Sequence, residues 1–351
     1  MRLLYAGQLW EGGTCVERMR TLKRLGCGIT PFDTTPFTTM GSRFEQSLLH
    51  RTKLGRGIAQ LNRALVAFAK ETKFDAVWVD KGVWIYPDTI AALRAMSARQ
   101  LAIHNTPDAQ LLDNRSRHFI GAIPIYDLLV TTKPFEVQSY RQHGARDVLL
   151  VLQGYGGQFR PREVAESVHA ALSSEVCFIG HCQPHYAGRL KAASTATGRL
   201  RIWGPRWPRY ARFHGWARPI VQGEGVWGDR YPAALRSTKI ALGLLSKLIP
   251  ETTTTRTFEI PATGVFMLAE RNEDHLALFE EGKEAEFFGS DEELRDKIRF
   301  YLANDRAREG IAQAGRERCL KSGYSDEHQL RRVLAQLAKT ADLPFPPRAR
   351  A

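Results

Sequence analysis

Glu251 and Glu259 stand eight positions apart in the run Glu251-Thr-Thr-Thr-Thr-Arg-Thr-Phe-Glu259-Ile-Pro-Ala-Thr-Gly264. A carboxylate can accept hydrogen bonds from two sugar hydroxyls, and such charge-assisted bonds are the strong kind. Between the two glutamates, Thr254, Thr255 and Arg256 fall at a predicted helix start. Free N–H groups at that end suit a phosphate. Gly264 is read as the stop of that helix, and Val265–Glu270 as a buried strand. Two glutamates at this spacing also arise by chance, so the pair gains weight only from what surrounds it.

The surroundings are strands alternating with helices. Predicted strands cover 3–6, 75–80, 101–104, 128–131 and 148–151 in the first half. In the second half they cover 176–179, 200–203, 240–245, 265–270 and 285–288. Repeated strand–helix units argue for α/β architecture with parallel, doubly wound sheets. Glycine and proline cluster at 152–161, read as a linker. Two Rossmann-like domains are therefore expected, at 1–155 and 156–324. A helix over 325–340 is expected to pack back on the first, and 341–351 to be a loose tail. Gly7, Lys81, His104, Gly180 and the Glu251–Glu259 loop all fall at or just past predicted strand ends, where open α/β sheets bind ligands.

Other chemistries lose support. No GxGxxG follows the first strand and no GxxxxGK[ST] occurs, which disfavours nicotinamide enzymes and P-loop nucleotidases. The five cysteines form no CxxC pair and suggest neither a zinc site nor a disulfide framework. No metal ligand set and no cofactor are expected. With no apolar run long enough to span a bilayer and no signal peptide, a cytoplasmic protein is expected.

The net charge of +13 favours anionic partners. Its densest stretch is Arg199 to Arg218, where arginines interleave with Trp203, Trp207, Tyr210, Phe213 and Trp216. We read it as a basic aromatic loop on the acceptor side, or one touching an anionic membrane at the inner face. A solvated loop is the plainer alternative. Nucleic acid is disfavoured because no RNP or helix-turn-helix signature accompanies the segment.

The glutamate pair resembles the E-x7-E motif of retaining GT-B glycosyltransferases. Residues 174–324 resemble the C-terminal domain of CgeB-type, spore-maturation-like GT-B proteins. The resemblance rests on Phe178-Ile-Gly180, Trp203-Gly204, Ser237-Thr-Lys-Ile240, Arg256-Thr-Phe-Glu259 with Ala262 and Gly264, and Glu284-Ala-Glu-Phe-Phe288. Glu293-Leu294, Tyr301-Leu302 and the stretch from Ile311 to Arg316 continue it. The first half shares only its strand pattern and Lys81-Gly82.

This resemblance implies two sheets facing across a cleft and a sugar moved from a UDP-, GDP- or TDP-linked donor. The acceptor would be a hydroxyl of an unidentified glycan, lipid or protein. It implies retention of configuration without a metal. Glu259 would hold the ribose hydroxyls and Glu251 would contact the donor sugar. Thr254, Thr255 and Arg256 would hold the departing diphosphate, and Gly180 would let the backbone approach the donor. Relatives carry Arg and Lys after that glycine. Here His181 follows, with Arg189 and Lys191 later, so Lys247 is the substitute cation, or else a solvent-facing lysine. His104 is the candidate histidine near the sugar, or a structural one, with Asp80 and Asp108 as alternatives. A nucleotide-sugar epimerase of the same fold, or a non-catalytic sugar- or nucleic-acid-binding protein, are the competing readings.

Overall fold

Residues Leu3 to Ala6 are all fully buried, and they alternate between two cores. Leu3 and Tyr5 join one hydrophobic cluster, and Leu4 and Ala6 join the other. A strand that is apolar on both faces belongs to a parallel sheet with helices above and below. The computed structural model has that form in each of two units. It describes residues 1–99, 101–106, 114, 116–160 and 162–341, with only the backbone for 104–106 and 340–341.

The first unit comprises Met1–Leu152 with the chain from Asp326 onward. Its strands are β1 (Arg2–Gly7), β2 (Gly28–Asp33), β3 (Ala76–Asp80), β4 (Leu101–Thr106), β5 (Leu128–Thr131) and β6 (Val148–Leu150). They form one sheet in the order β2-β1-β3-β4-β5-β6, parallel throughout. Its helices along the chain are α1 (Thr14–Arg24), α2 (Thr35–Thr38), α3 (Arg43–Thr52), α4 (Arg56–Lys70), α5 (Pro87–Met96), α6 (Arg117–Ala122) and α7 (Pro134–Gln142).

The second unit, Gln153–Ser325, repeats the plan. Its strands are β7 (Ser174–Ile179), β8 (Leu200–Trp203), β9 (Val221–Gly223), β10 (Thr238–Gly243), β11 (Phe266–Glu270) and β12 (Glu286–Phe288). The order is β12-β11-β10-β7-β8-β9, again parallel. Its helices are α8 (Glu166–Leu172), α9 (Pro184–Ser194), α10 (Trp207–Phe213), α11 (Arg230–Arg236), α12 (Arg256–Ala262), α13 (Glu273–Leu278), α14 (Asp291–Ala303) and α15 (Asp305–Lys321). The chain then re-enters the first unit as α16 (Asp326–Ala341). Leu330, Val333, Leu334 and Leu337 bury its apolar stripe in the same cluster as Val16, Met19 and Leu22 of α1.

The segment read as a linker is packed against the second unit. Its 3-10 turn, Gly157–Phe159, buries Phe159 edge-on against Tyr231, with ring centroids 5.3 Å apart. Arg236 donates to the carbonyl of Gln158 at 2.8 Å.

Candidate active site

In the second sheet the chain runs outward from β7 through β8 to β9, then restarts on the other side with β10. The crevice beyond the carboxyl ends of β7 and β10 is the topological switch point, where ligands of such sheets bind. Arg256, the first residue of α12, lies over that crevice. Its Nη1 donates to the carbonyl of Ile179 at 3.3 Å, and its Nη2 to that of Leu244 at 2.9 Å. The guanidinium rests 5.3 Å from the ring centroid of Phe178. Its buried Nε–H has no acceptor among the described residues. Burial pulls the Arg256 pKa down, but Tyr186, Tyr231, Glu251 and Glu259 outweigh it and raise the pKa, so the cation is held charged.

The close fit at Arg256 explains two glycines. A Cβ on Gly180 would come within 2.8 Å of the Phe178 ring and 3.0 Å of Arg256 Nη1. Gly204 has φ +149°, and a Cβ there would meet the Gly180 carbonyl oxygen at 1.9 Å. The backbone turns after β7 and β8 therefore touch, and neither has room for a side chain. Gly180 is thus required by protein packing on its own, before any donor is considered.

Both glutamates border this crevice. Glu251 Oε2 accepts the backbone N–H of Ser246, just past β10, at 2.8 Å. Glu259, on the first turn of α12 and 8% exposed, accepts the hydroxyl of Tyr231 at 2.6 Å. Burial first, and then the Glu259 charge, push the Tyr231 phenol well above its ordinary value, so it is a donor at any physiological pH. The loop between the glutamates is held by a relay. Thr254 N–H donates to Thr257 Oγ1 at 3.1 Å, and that oxygen lies 3.0 Å from His275 Nε2. His275 Nδ1 lies 2.6 Å from the carbonyl of Glu270, which assigns the proton to Nδ1 and makes Nε2 the acceptor of the Thr257 hydroxyl. Burial lowers the His275 pKa, in keeping with a neutral ring. Asn272 adds a bond from Nδ2 to the carbonyl of Thr252 at 3.0 Å. The amides of Thr255 and Arg256 have no acceptor among the described residues.

Lys247 faces a carboxylate. Its Nζ lies 2.8 Å from Glu270 Oε2, at the end of β11. Glu270 also accepts from the amide of Leu245 at 3.1 Å and lies 2.9 Å from His185 Nε2. Burial alone would raise the Glu270 pKa; Lys247, the Leu245 amide and His185 together lower it. Arg189, on α9, is paired with Asp291. His181 is exposed in the turn after β7. Gly264 stands at the far, C-terminal end of α12 with φ +77°, where it stops the helix. Glu270, His185, Tyr231 and His275 were not singled out from the sequence. Each is an ordinary residue until the fold sets it beside a partner from another element.

In the first unit, β4 pairs His104 with Val79 and with Leu129. The His104 side chain and all of Asp108 lie outside the described residues. Asp80, at the end of β3, is buried against Arg18 and takes a 2.5 Å bond from the Tyr5 hydroxyl, so its carboxylate is already engaged. In the stretch Arg199–Arg218 the expected strand at 200–203 is present as β8, and helix α10 corrects the reading of the rest as a loop. Together they occupy most of the stretch, and Trp203 and Trp207 are core residues at 4% and 0% exposure. An apolar core was available to these tryptophans, and burial of so large a side chain outweighs the local charge density.

No curated protein sequence matches the chain. Residues 188–335 match the family model described as glycosyl transferase-like. Among solved structures, the chain is similar to Anabaena HepE, crystallised with UDP and glucose: 14% identity over 97% of this chain and 100% of that one, TM-score 0.67. It is similar to sucrose-phosphate synthase from Thermosynechococcus elongatus, at 14% identity over 97% and 99%, TM-score 0.66. It is also similar to trehalose 6-phosphate synthase from Burkholderia multivorans, at 12% identity over 97% and 99%, TM-score 0.61. These likenesses fix the fold as GT-B, and the family match falls on the part of the chain that carries Arg256 and the second glutamate. The chain has the GT-B fold, and its residues 188–335 are similar to the glycosyl transferase-like family.

Proposed function

We propose that the chain transfers a sugar from a nucleoside diphosphate donor to an acceptor hydroxyl, with retention of configuration and without a metal. The observation that carries this reading is that both Glu251 and Glu259 act on the charge of Arg256, whose guanidinium bridges the carbonyls of Ile179 and Leu244 at the β7/β10 switch point. Glu259, oriented by Tyr231, holds the two ribose hydroxyls. Glu251, anchored on the Ser246 amide, faces the donor sugar. The unfilled amides of Thr255 and Arg256, backed by the charged guanidinium, receive the growing negative charge of the diphosphate. Lys247 sits one residue past the anchoring amide and can leave Glu270 for a phosphate. The first unit serves the acceptor. That HepE is held with UDP and with UDP-glucose supports a uridine nucleotide as the first donor to try.

A melting-temperature screen against UDP, GDP and TDP tests the nucleotide half of the proposal, since a ligand that binds only the folded state raises the midpoint with concentration. The matching nucleotide sugar then tests the rest, through donor hydrolysis and the anomeric configuration of the product. No shift with any nucleoside diphosphate would overturn the reading. An inverted product would remove its retaining half.

A further inference from the structure

We propose that the exposed side of α10, with Arg206, Arg209 and Arg212 beside Phe213, docks the protein on the surface of an anionic phospholipid membrane. The inference does not depend on the sugar-transfer reading. The other side of α10 is fixed in the protein. Trp207 is fully buried and its indole N–H donates to the Gly180 carbonyl at 2.9 Å, while Ala211, one turn on, is also buried. Positions 209, 212 and 213 therefore fall on the opposite side of the helix. Phe213 is 79% exposed, the highest value among the large apolar side chains described. Arg206, Arg209 and Arg212 are exposed around the same turn and a half.

Two features define the ends of this surface. Arg206 sits in the left-handed region at φ 70°, an uncommon state for a side-chain-bearing residue, with its amide 3.2 Å from the Glu224 carboxylate. Arg218 donates to the carbonyls of Ala211 and Arg212 at 3.3 and 2.8 Å, closing the end of α10. With Arg212, Pro208 and Gln222 it lines an open depression of about 460 Å³, room for a phosphate headgroup. Among the described residues no carboxylate pairs with Arg206, Arg209, Arg212 or Arg218, whereas Arg189, Arg271 and Arg308 of the same unit each sit on one.

The same geometry favours a bilayer over single-stranded nucleic acid. Strand binding needs free aromatic faces for bases. Trp203 and Trp207 are buried. Tyr210 lies flat on His214 at 3.6 Å and meets Trp207 and Trp216 edge-on. A membrane needs only clustered cations and one apolar ring that enters the headgroup layer.

Co-sedimentation with vesicles tests this. Wild-type protein should bind phosphatidylglycerol–phosphatidylcholine vesicles at low salt, ignore pure phosphatidylcholine, and release as salt rises. The triple variant R206Q/R209Q/R212Q should lose roughly 100-fold in partitioning. F213S should lose roughly 3- to 10-fold. A control triple with equal charge loss, R63Q/K70Q/K73Q, should bind as wild type, and all variants should melt as wild type because the residues are exposed. Four results would each overturn the proposal: no binding at low salt, equal binding to neutral vesicles, equal losses in both triples, or binding to single-stranded RNA tighter than to vesicles and abolished by the α10 triple.

Discussion

Tyr231 gives its phenolic hydrogen to Glu259 across 2.6 Å. The bond joins α11 to α12 and aims a buried carboxylate without neutralising it. An ionised carboxylate only accepts, and one of its lone pairs here takes the Tyr231 hydroxyl. Glu259→Ala should cost about 2–4 kcal/mol of nucleotide affinity, two charge-assisted bonds, and flatten the UDP-dependent rise in melting temperature. Tyr231→Phe should cost about 1 kcal/mol, because only the aim is lost. Calorimetric titration with UDP separates the two, and a full response from Glu259→Ala would take this residue out of the nucleotide site.

Glu251→Gln should divide binding from turnover. The amide keeps the size of the side chain and an oxygen for the Ser246 N–H, so the loop should hold its shape. Only the charge near the transferring sugar is lost. UDP affinity should stay within about twofold, while the rate falls roughly 10²-fold or more. Single-turnover measurements at saturating donor are the check. Collapse of affinity with an intact rate per bound complex would exchange the roles of the two glutamates.

The touching turns at Gly180 and Gly204 predict graded damage. Gly180→Ala presses on an aromatic ring and a guanidinium that can shift, and should cost about 1–2 kcal/mol of stability. Gly204→Ala drives a methyl into a carbonyl and needs a strained φ as well, so at least about 3 kcal/mol is expected. Urea unfolding gives both numbers. Equal, small effects would mean that the turns do not pack as described.

Glu270 supplies a pH signature. Its folded pKa lies below its unfolded one, so the associated stabilisation is complete above the ordinary carboxylate range and is lost as pH falls through the depressed value. Lys247→Gln removes one cause of that depression. Since Lys247 is half exposed, about 0.5 kcal/mol of destabilisation is expected at pH 7. The gap between variant and wild type should narrow as pH falls below the ordinary carboxylate range and vanish once Glu270 is protonated in both. A gap that persists in acid would assign the effect to packing instead of charge.

The regular parts of both sheets are readable from periodicity, because each central strand is an apolar run bounded by glycine or a helix cap. What escapes is the edge. Strand β2 carries Pro31, which an edge strand tolerates but a sequence reading takes as a break. Strand β9 has three residues and no apolar run. Helix α10 opens on Trp207-Pro208 and is masked by its charge. At the site, the glutamate spacing is legible and its anchoring is not. Tyr231, His185, Glu270 and His275 bond across separations of 18 to 85 positions, and nothing local announces a partner so far away. Lys247 makes the same point: nothing in the sequence around this loop cation announces the carboxylate that the fold sets 2.8 Å from it.

The chain enters the second unit at Gln153 and leaves it at Ser325. Tyr155 forms a parallel bridge with Ser325, and its amide reaches the carbonyl of Tyr324 at 3.1 Å. On the other side of the crossing, the amide of Leu152 takes Gln329 Oε1 at 3.1 Å. The second unit is therefore one continuous stretch of chain with its ends clasped, inserted between Leu152 and Asp326 of the first unit, whose last helix follows it in sequence. Residues 153–325 can be cut out without leaving a loose strand, while a chain stopped at 325 deprives the first unit of the leucine stripe of α16. The second unit expressed alone should fold and keep its nucleotide response; the truncated first unit, even with the second attached, should aggregate.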